Sequence, residues 1–252
     1  MSAIKTAAQI QTMKVAGKIL GEILASLKSH TKPGKLVLEL EDEFISLCDK
    51  FKVTPTCKGY SEYGLKPFPT GLCVSINSQA VHCPPKKDVI ITDTDIVTVD
   101  TVIGYNGLHV DSSFCIAMPG STTTRKNMAV TAEKAFDEAV SRVREGIKTG
   151  LLGSKIYSTA KIGGFNVLRD FAGHGIGEEM HEWPDITCFG TKNEGVKLKA
   201  GMTICIETLI CEGNPKVETK DGWETNMADG KDFCQHEHTV LVTRNGYEIL
   251  TQ

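Results

Sequence analysis

The sequence predicts a single α+β domain, and three observations support this prediction. The 252 residues are 40% hydrophobic and 23% charged, which is ordinary globular composition that fits one large domain or two small ones. Helical patterns precede strand patterns twice along the chain, and no low-complexity linker separates the two halves. Polar residues interrupt the strand segments of both halves. The simplest arrangement is one domain over residues 1–252 with two similar halves.

The first half begins with a predicted helix. Its inner face is an apolar stripe formed by Ile10, Met13, Leu20, Ile23, Leu24 and Leu27. A basic, amphipathic targeting segment is the alternative, but this stretch lacks the arginine typical of such segments. Pro33 and Gly34 end the helix. A second helix is predicted over 38–51, followed by a Gly-, Pro- and aromatic-rich loop at 56–71 and a strand at 72–77.

The strand and helix patterns then repeat. Residues 93–118 form two β-runs joined at "GYNG", a hairpin signal. A helix is predicted over 124–147, with an inner face of Met128, Ala132, Ala135, Phe136 and Val143, and a shorter helix over 153–165. Strand character returns at "MTICIETLIC", "FCQHEHTVLVT" and "YEILTQ".

Charge and cysteine content exclude several classes of protein. The formal net charge of −3 gives no basic surface for DNA. No apolar run approaches the roughly 20 residues needed to cross a bilayer. The nine cysteines form no CxxC pair, and an odd number without a signal peptide favours a reducing compartment. We therefore expect a cytoplasmic protein with no DNA or membrane partner.

Five acids and histidines lie in apolar or glycine-rich segments where solubility does not require them: Asp100, Asp111, His174, Glu207 and Glu237. Four carboxylates and one imidazole in one core would repel unless cations lay among them. Oxygen-rich ligands with one nitrogen suit Mn, Fe, Co or Zn. A hydrolytic centre with two divalent metal ions is the leading hypothesis.

The triplet His236, Glu237, His238 cannot bind one ion as a unit. Successive side chains of a strand face opposite ways, so the two histidines share one face and Glu237 points to the other. From the residues alone, either the histidines or the glutamate faces the site.

Several segments resemble the signature segments of type I methionine aminopeptidases, in order and with compatible spacing. They are "LCVSINSQAVH", "IVTVDTVIGYNGLHVDSS", "FAGHGIGEEMHEWP", "GMTICIE" and "QHEHTVLVT". The resemblance implies the pita-bread fold, with two pseudo-symmetric halves around a curved antiparallel sheet. It implies that Asp111 and Glu237 bridge two metals, that Asp100 completes one ion and that His174 with Glu207 completes the other. Glu207 would also act as the general base.

The resemblance also implies roles for residues that bind no metal. His181 would stabilise the tetrahedral intermediate, and His82 would handle the scissile amide and its leaving nitrogen. Soft and aromatic side chains would surround the methionine thioether. The matching positions are Cys57, Tyr60, Phe68, Cys73, Met180 and Trp223.

Four features depart from the family pattern without removing a ligand. Cys83 replaces a glycine, Thr208 replaces a proline, His236 replaces an aromatic residue, and the loop around 61–68 is a few residues longer. The 33 positions from His174 to Glu207 are too few for the type II insertion. With no N-terminal extension either, type I is the better subclass.

The predicted function is therefore removal of the initiator methionine when the second residue is small. A non-catalytic pita-bread binding module and a prolidase-like dipeptidase are the alternatives. The substrates would be N-terminal methionine peptides and nascent chains, with the ribosome as a candidate partner, and we expect a monomer.

Overall fold

The structure, a computed structural model, describes residues 3–61, 64–220 and 222–252. The helices within these residues are Ala7–His30 (α1), Val37–Phe51 (α2), Thr123–Val140 (α3) and Thr149–Ile162 (α4). The strands are Thr54–Pro55 (β1), Cys73–Ile76 (β2), Ile96–Tyr105 (β3), Leu108–Ala117 (β4), Asn166–Val167 (β5), Ala172–Gly175 (β6), Glu182–Thr187 (β7), Thr203–Cys211 (β8), Val217–Lys220 (β9), Glu224–Met227 (β10), Phe233–Val242 (β11) and Tyr247–Ile249 (β12).

The first helix is packed into the core, as the apolar stripe predicts. Thr6 caps its N-terminus through a capping box with Gln9, which satisfies two backbone N–H groups that have no partner inside the helix. Met13, Leu20, Ile23, Leu24 and Leu27 are buried, whereas Ile10 is half-buried. The helix ends before Pro33 and Gly34. The targeting alternative does not explain a segment that supplies core residues.

The strands form one large antiparallel sheet and one separate hairpin. The path through the large sheet is β1-β3-β4-β11-β8-β6-β7, while β2, β5 and β12 pair with its members, and β9 pairs with β10. Strand β4 of the first half meets β11 of the second half at the centre. The α+β prediction is confirmed, and polar strand positions of both halves meet at this junction.

Two hydrophobic cores lie against the sheet. One joins α1 and α2 to β2, β3 and β4, and the other joins α3 and α4 to β8 and β11. Each half therefore covers its own strands with its own pair of helices. Because these cores bury the apolar side chains of the strands, the strands can carry buried polar groups only where these groups find partners.

The predicted hairpin at 104–107 is confirmed, with Asn106 and Gly107 both at positive φ, as a tight two-residue turn requires. The second-half helix is shorter than predicted and ends at Val140. Beyond it, the N–H of Glu145 donates to the carbonyl of Thr243 and that of Gly146 to Leu198. These tertiary hydrogen bonds replace the helical ones, yet Val143 is still buried.

Strands β6 and β7 and the β9–β10 hairpin were not predicted. Strand β6 carries two glycines, and β9 is largely exposed, so neither shows a regular apolar alternation. None of the helices within the described ranges is both long and apolar enough to cross a bilayer.

Candidate metal centre and active-site cavity

The register of four adjacent strands places three carboxylates in one row. Asp100 of β3 pairs with Ser113 of β4, and Ser113 pairs with Glu237 of β11. Glu237 in turn pairs with Glu207 of β8. Residues paired across neighbouring strands lie on the same face of a sheet, about 5 Å apart. Asp111, two positions before Ser113 on β4, shares that face and completes an acidic cluster.

His174 faces this cluster from β6 with its imidazole in a defined tautomer. Its Nδ1 donates to the carbonyl oxygen of Gly175 at 2.9 Å, so Nε2 carries the lone pair. Nε2 lies 3.7 Å from Oδ2 of Asp111. Burial and the nearby His181 lower the pKa of His174 to about 3, so its ring is neutral and this contact is not an ion pair. A cation between them would satisfy both.

The acidic cluster is electrostatically costly by itself. Burial, followed by the charge of Asp100, raises the pKa of Glu207 to about 8. Burial also raises the pKa of Asp100 to about 7. The pKa values of Asp111 and Glu237 rise well above their ordinary range, because burial acts first and the neighbouring carboxylates add to it. Such a cluster holds protons at neutral pH unless cations replace them.

The donor set fits divalent cations. Asp111, His174, Glu237 and Cys205 each offer a ligand atom, and these atoms all lie within 4.8 Å of one another. Oδ1 of Asp100 and Oδ1 of Asp111 are buried with no hydrogen-bond partner among the described residues. Buried carboxylate oxygens without donors are what a metal ion would coordinate. Two further carboxylate groups, those of Asp100 and Glu207, stand beside this set.

Cys205 is the one member of the group that the sequence did not predict. It lies two positions before Glu207 and therefore on the same face of β8. Its side chain is fully buried, and its Sγ lies 3.7 Å from the hydroxyl oxygen of Thr239. Burial, together with nearby carboxylates, raises the pKa of the thiol well above its ordinary value. Because the thiolate is the ligand form, we assign Cys205 to packing beneath the carboxylates.

The strand-alternation argument for the histidine triplet is confirmed. Glu237 lines the cavity, whereas the rings of His236 and His238 pack edge-on against Phe136 of α3, at 5.4 and 5.1 Å between centroids. His238 Nδ1 lies 2.9 Å from the hydroxyl of Thr251. Of the two possibilities that alternation left open, the structure selects the glutamate.

The two predicted non-ligand histidines lie beside the acidic cluster. The ring of His181 packs edge-on against His174 at 4.5 Å between centroids, and its Nδ1 lies 3.3 Å from the hydroxyl of Tyr60. His82 has a positive φ of 56°, which is uncommon outside glycine and frequent at functional sites. Burial, with His181 adding to it, lowers the pKa of His82 to about 4, so its ring is neutral at physiological pH.

A cavity of about 340 Å³ opens onto these groups. Trp223 packs against two other residues of this cavity, with 5.4 Å to Phe68 and 6.2 Å to Tyr60 between ring centroids. Its Nε1 donates a hydrogen bond to the carbonyl oxygen of Lys66. Every position that the sequence associated with methionine binding lines this cavity: Cys57, Tyr60, Phe68, Cys73, Met180 and Trp223. Their roles in binding stay predictions.

Six further residues line the cavity and were not predicted: Val81, Val102, Phe171, Ala172, Asp185 and Gln235. Gln235 is the most informative, since its Nε2 donates to Oε2 of Glu237 at 2.9 Å and it also hydrogen-bonds Asp100. It lies two positions before Glu237 on β11, and that spacing could have identified it. Phe171 packs edge-on against His82 at 5.5 Å, a contact that only the fold reveals.

The unusual residues are accommodated by local contacts. Cys83 is buried and its Sγ lies 3.5 Å from the carbonyl oxygens of Val81 and Thr225, so it anchors the segment after His82. The positive φ belongs to His82, and Cys83 itself needs no glycine-like backbone. The hydroxyl of Thr208 lies 3.0 Å from the carbonyl of Ala132 in α3. In the longer loop, residues 62 and 63 lie outside the described residues.

Comparison with known proteins relates the whole chain to one family. Residues 11–244 match the profile of Metallopeptidase family M24. A methionine aminopeptidase from Mycoplasma capricolum is 36% identical over 255 residues, spanning 100% of this chain and 99% of that protein. A methionine aminopeptidase from Escherichia coli is 33% identical and spans 98% of this chain and 93% of that protein.

Solved structures agree with the sequence relatives. The crystal structure of a methionine aminopeptidase from Thermotoga maritima has a TM-score of 0.94 at 36% identity and covers 99% of this chain and 98% of that one. A prolidase from Pyrococcus furiosus has a TM-score of 0.74 at 23% identity and shows the shared fold alone, since this chain spans 65% of its length. The pita-bread fold expected from the sequence is confirmed. The chain belongs to metallopeptidase family M24.

Proposed function

We propose that this protein is a metal-dependent methionine aminopeptidase that hydrolyses the first peptide bond of chains whose second residue is small. The observation that carries the proposal is the placement of the acidic cluster and His174 on one wall of a cavity, with His82, His181 and a sulfur- and aromatic-lined wall beside it. Relatives over the full length of the chain bear the name methionine aminopeptidase.

Two divalent ions, of Mn, Fe, Co or Zn, are the cofactors in this proposal. Asp100, Asp111, His174, Glu207 and Glu237 would hold them. The row of carboxylates and the free Nε2 of His174 support this assignment. Bound divalent ions supply a nucleophile at neutral pH by lowering the pKa of water, and they polarise the scissile carbonyl. Carboxylate and imidazole ligands accept all four metals.

The chain's own residues position the peptide and move protons. Glu207 is proposed as the general base that takes a proton from the attacking water, because its carboxylate lies in the row of carboxylates proposed to hold the metal ions. His181 would donate a hydrogen bond to the oxygen that gains negative charge. His82 would hold the scissile amide and its leaving nitrogen. A neutral imidazole such as that of His82 keeps one N–H donor for this task.

The methionine side chain would occupy the wall formed by Cys57, Cys73 and Met180 with the aromatic rings opposite. Sulfur and aromatic groups favour an unbranched thioether through dispersion and sulfur–aromatic contacts. Cys73 and Met180 are buried, and Cys57 is half-buried, so the wall is dry enough to exclude polar side chains. Selectivity for methionine follows from this chemistry.

The alternatives are less consistent with the site. A non-catalytic binding module has no use for buried carboxylates that hold their protons at an energetic cost. A prolidase-like dipeptidase is related in fold, yet the chain aligns with methionine aminopeptidases over nearly their full length. We further propose action on nascent chains as a cytoplasmic monomer, with the ribosome as the candidate partner.

Peptide hydrolysis tests the proposal. Met-Ala-Ser, Ala-Ala-Ser and the dipeptide Met-Pro are incubated with the protein plus Mn²⁺ or Co²⁺, and again with a chelator. We expect release of methionine from Met-Ala-Ser only, abolished by the chelator. If no methionine is released with any metal, the proposed function is wrong, whereas cleavage of Met-Pro alone would establish the prolidase alternative.

A further inference from the structure

A buried ion pair ties the N-terminal segment to the strand that carries His181. Nζ of Lys5 lies 2.6 Å from Oε2 of Glu182, and the exposed fractions of the two side chains are 2% and 9%. Glu182 directly follows His181 and is the first residue of β7. A lysine this deeply buried is rare and needs its partner.

The surrounding backbone holds Lys5 in place. Its N–H donates to the carbonyl of Gly201 at 2.8 Å, and Ile4 forms a β-bridge with Met202. Gly177 leaves the room that the lysine stem needs, since a Cβ at this position would lie 2.1 Å from Cε of Lys5. An alanine at this position would therefore displace the end of the Lys5 side chain.

Glu182 connects Lys5 to the loop that precedes β7, because its carboxylate contacts both. While Oε2 contacts Lys5, Oε1 accepts from the N–H of Glu179 at 3.2 Å. Glu182 also pairs with Gly175, the residue whose carbonyl fixes the tautomer of His174. The segment from Glu179 to Glu182 contains Met180 and His181, and both line the cavity.

We infer that Lys5 is a positioning residue for catalysis: through its buried ion pair with Glu182 it fixes the segment that carries His181 against His174. The inference rests on the proposed role of His181. Lys5 itself does not line the cavity, so it acts only through Glu182. Small displacements of a group that stabilises the transition state cost more in kcat than in substrate binding.

The test measures kcat and KM for Met-Ala-Ser in the metal-loaded protein. Lys5→Met should lower kcat roughly 10- to 100-fold and change KM less than about threefold. Lys14→Met is the matched control, because Lys14 also belongs to the N-terminal region and forms a 2.6 Å ion pair, with Glu248, that is largely exposed. The control should keep the activity of the wild type.

A double-mutant cycle separates positioning from general stability. In the His181→Ala background, measured by single turnover at high enzyme concentration, Lys5→Met should cost less than about twofold, because the group it positions is gone. Equal losses in both backgrounds would show that Lys5 acts on the fold in general, and the inference would be wrong. Wild-type kcat in Lys5→Met would overturn it as well.

A second variant covers the case in which Lys5→Met does not fold. Gly177→Ala keeps both charges and displaces the lysine stem, so it should lower kcat in the same way and show the same loss of effect with His181→Ala. Wild-type kcat in Gly177→Ala would overturn the inference. Absence of methionine release by the wild type would contradict the proposed function instead, so the two failures are distinguishable.

Discussion

At the scale of single residues, orientation decides chemistry more than residue type. Glu237 and His238 are neighbours on β11, and a histidine is the commoner metal ligand. The strand turns Glu237 into the cavity and His238 toward Phe136. The glutamate therefore faces the acidic cluster, and the histidine is a packed residue.

This difference gives the first prediction. Glu237→Gln should lower metal affinity at least roughly 100-fold and remove nearly all activity, since it removes one of the carboxylates proposed to hold the metal ions. His238→Ala should leave kcat/KM within about tenfold and lower stability by about 1–3 kcal/mol, because Ser112 and Thr251 lose a buried partner. Metal titration, steady-state kinetics and denaturant unfolding measure these effects. Equal losses of activity in the two variants would contradict the face assignment.

Thr208 gives a second prediction at the same scale. Its hydroxyl lies 3.0 Å from the carbonyl of Ala132 and 3.1 Å from that of His236, so it links β8 to α3 and to β11. Thr208→Val keeps the shape and removes the donor, and we expect a loss of about 1 kcal/mol in stability with unchanged kcat/KM. A large loss of activity without a loss of stability would assign the residue to catalysis.

At the scale of elements, a buried carboxylate of α2 fixes the start of β2. Oε1 of Glu41 accepts from the N–H of Gly71 at 2.8 Å, and Oε2 accepts from the N–H of Leu72 at 2.9 Å. The next residue is Cys73, which lines the cavity and pairs with Asp100. Helix α2 therefore positions one side of the cavity.

Glu41→Gln should disturb that connection. The amide replaces one acceptor with a donor, which leaves a buried N–H unsatisfied and should cost about 1–3 kcal/mol of stability. KM for Met-Ala-Ser should rise because Cys73 loses its support. Glu43→Gln on the same helix is the control, since Glu43 contacts Ser26 and the exposed His30. A rise in KM with the control as well would exclude a specific effect of Glu41.

At the scale of the whole molecule, the protonation of the same carboxyl groups affects both metal binding and folding stability. The folded, metal-free protein keeps protons on Asp100 and Glu207, whose pKa values are about 7 and 8, whereas the unfolded chain releases them near pH 4. A raised pKa of an acid stabilises the folded state at low pH, and this contribution disappears as pH rises through the folded pKa. His82 and His174 stay neutral throughout this range.

The metal-free protein should therefore lose stability between pH 7 and 8.5, on the order of 1–3 kcal/mol. Metal affinity should increase over the same range, because cations bind the ionised carboxylates. Thermal unfolding with Mn²⁺ and with a chelator measures the difference in Tm between the metal-bound and the metal-free protein. This difference, the gap in Tm, should widen as pH rises. A gap that narrows with rising pH would contradict this linkage.

The sequence by itself determined the alternation of helices and strands and the hairpin at Asn106 and Gly107. It also identified the four carboxylates of the acidic cluster and His174 as candidate site residues. Local rules are sufficient for these features, since apolar periodicity, turn residues and carboxylates in apolar segments all act over a few positions. Alternation also separated Glu237 from its flanking histidines. Only the choice between the two faces required the fold.

The tertiary structure decided what depends on pairing between distant segments. The early end of α3, the packing of Phe171 against His82, and the approach of Lys5 to Glu182 across 177 positions all follow from contacts that no local pattern encodes. Strand register also depends on pairing between distant segments. It aligns Asp100, Glu237 and Glu207, which are far apart in the chain, in one row. A shift of one residue would turn each side chain to the opposite face, so the metal centre exists only in the packed sheet.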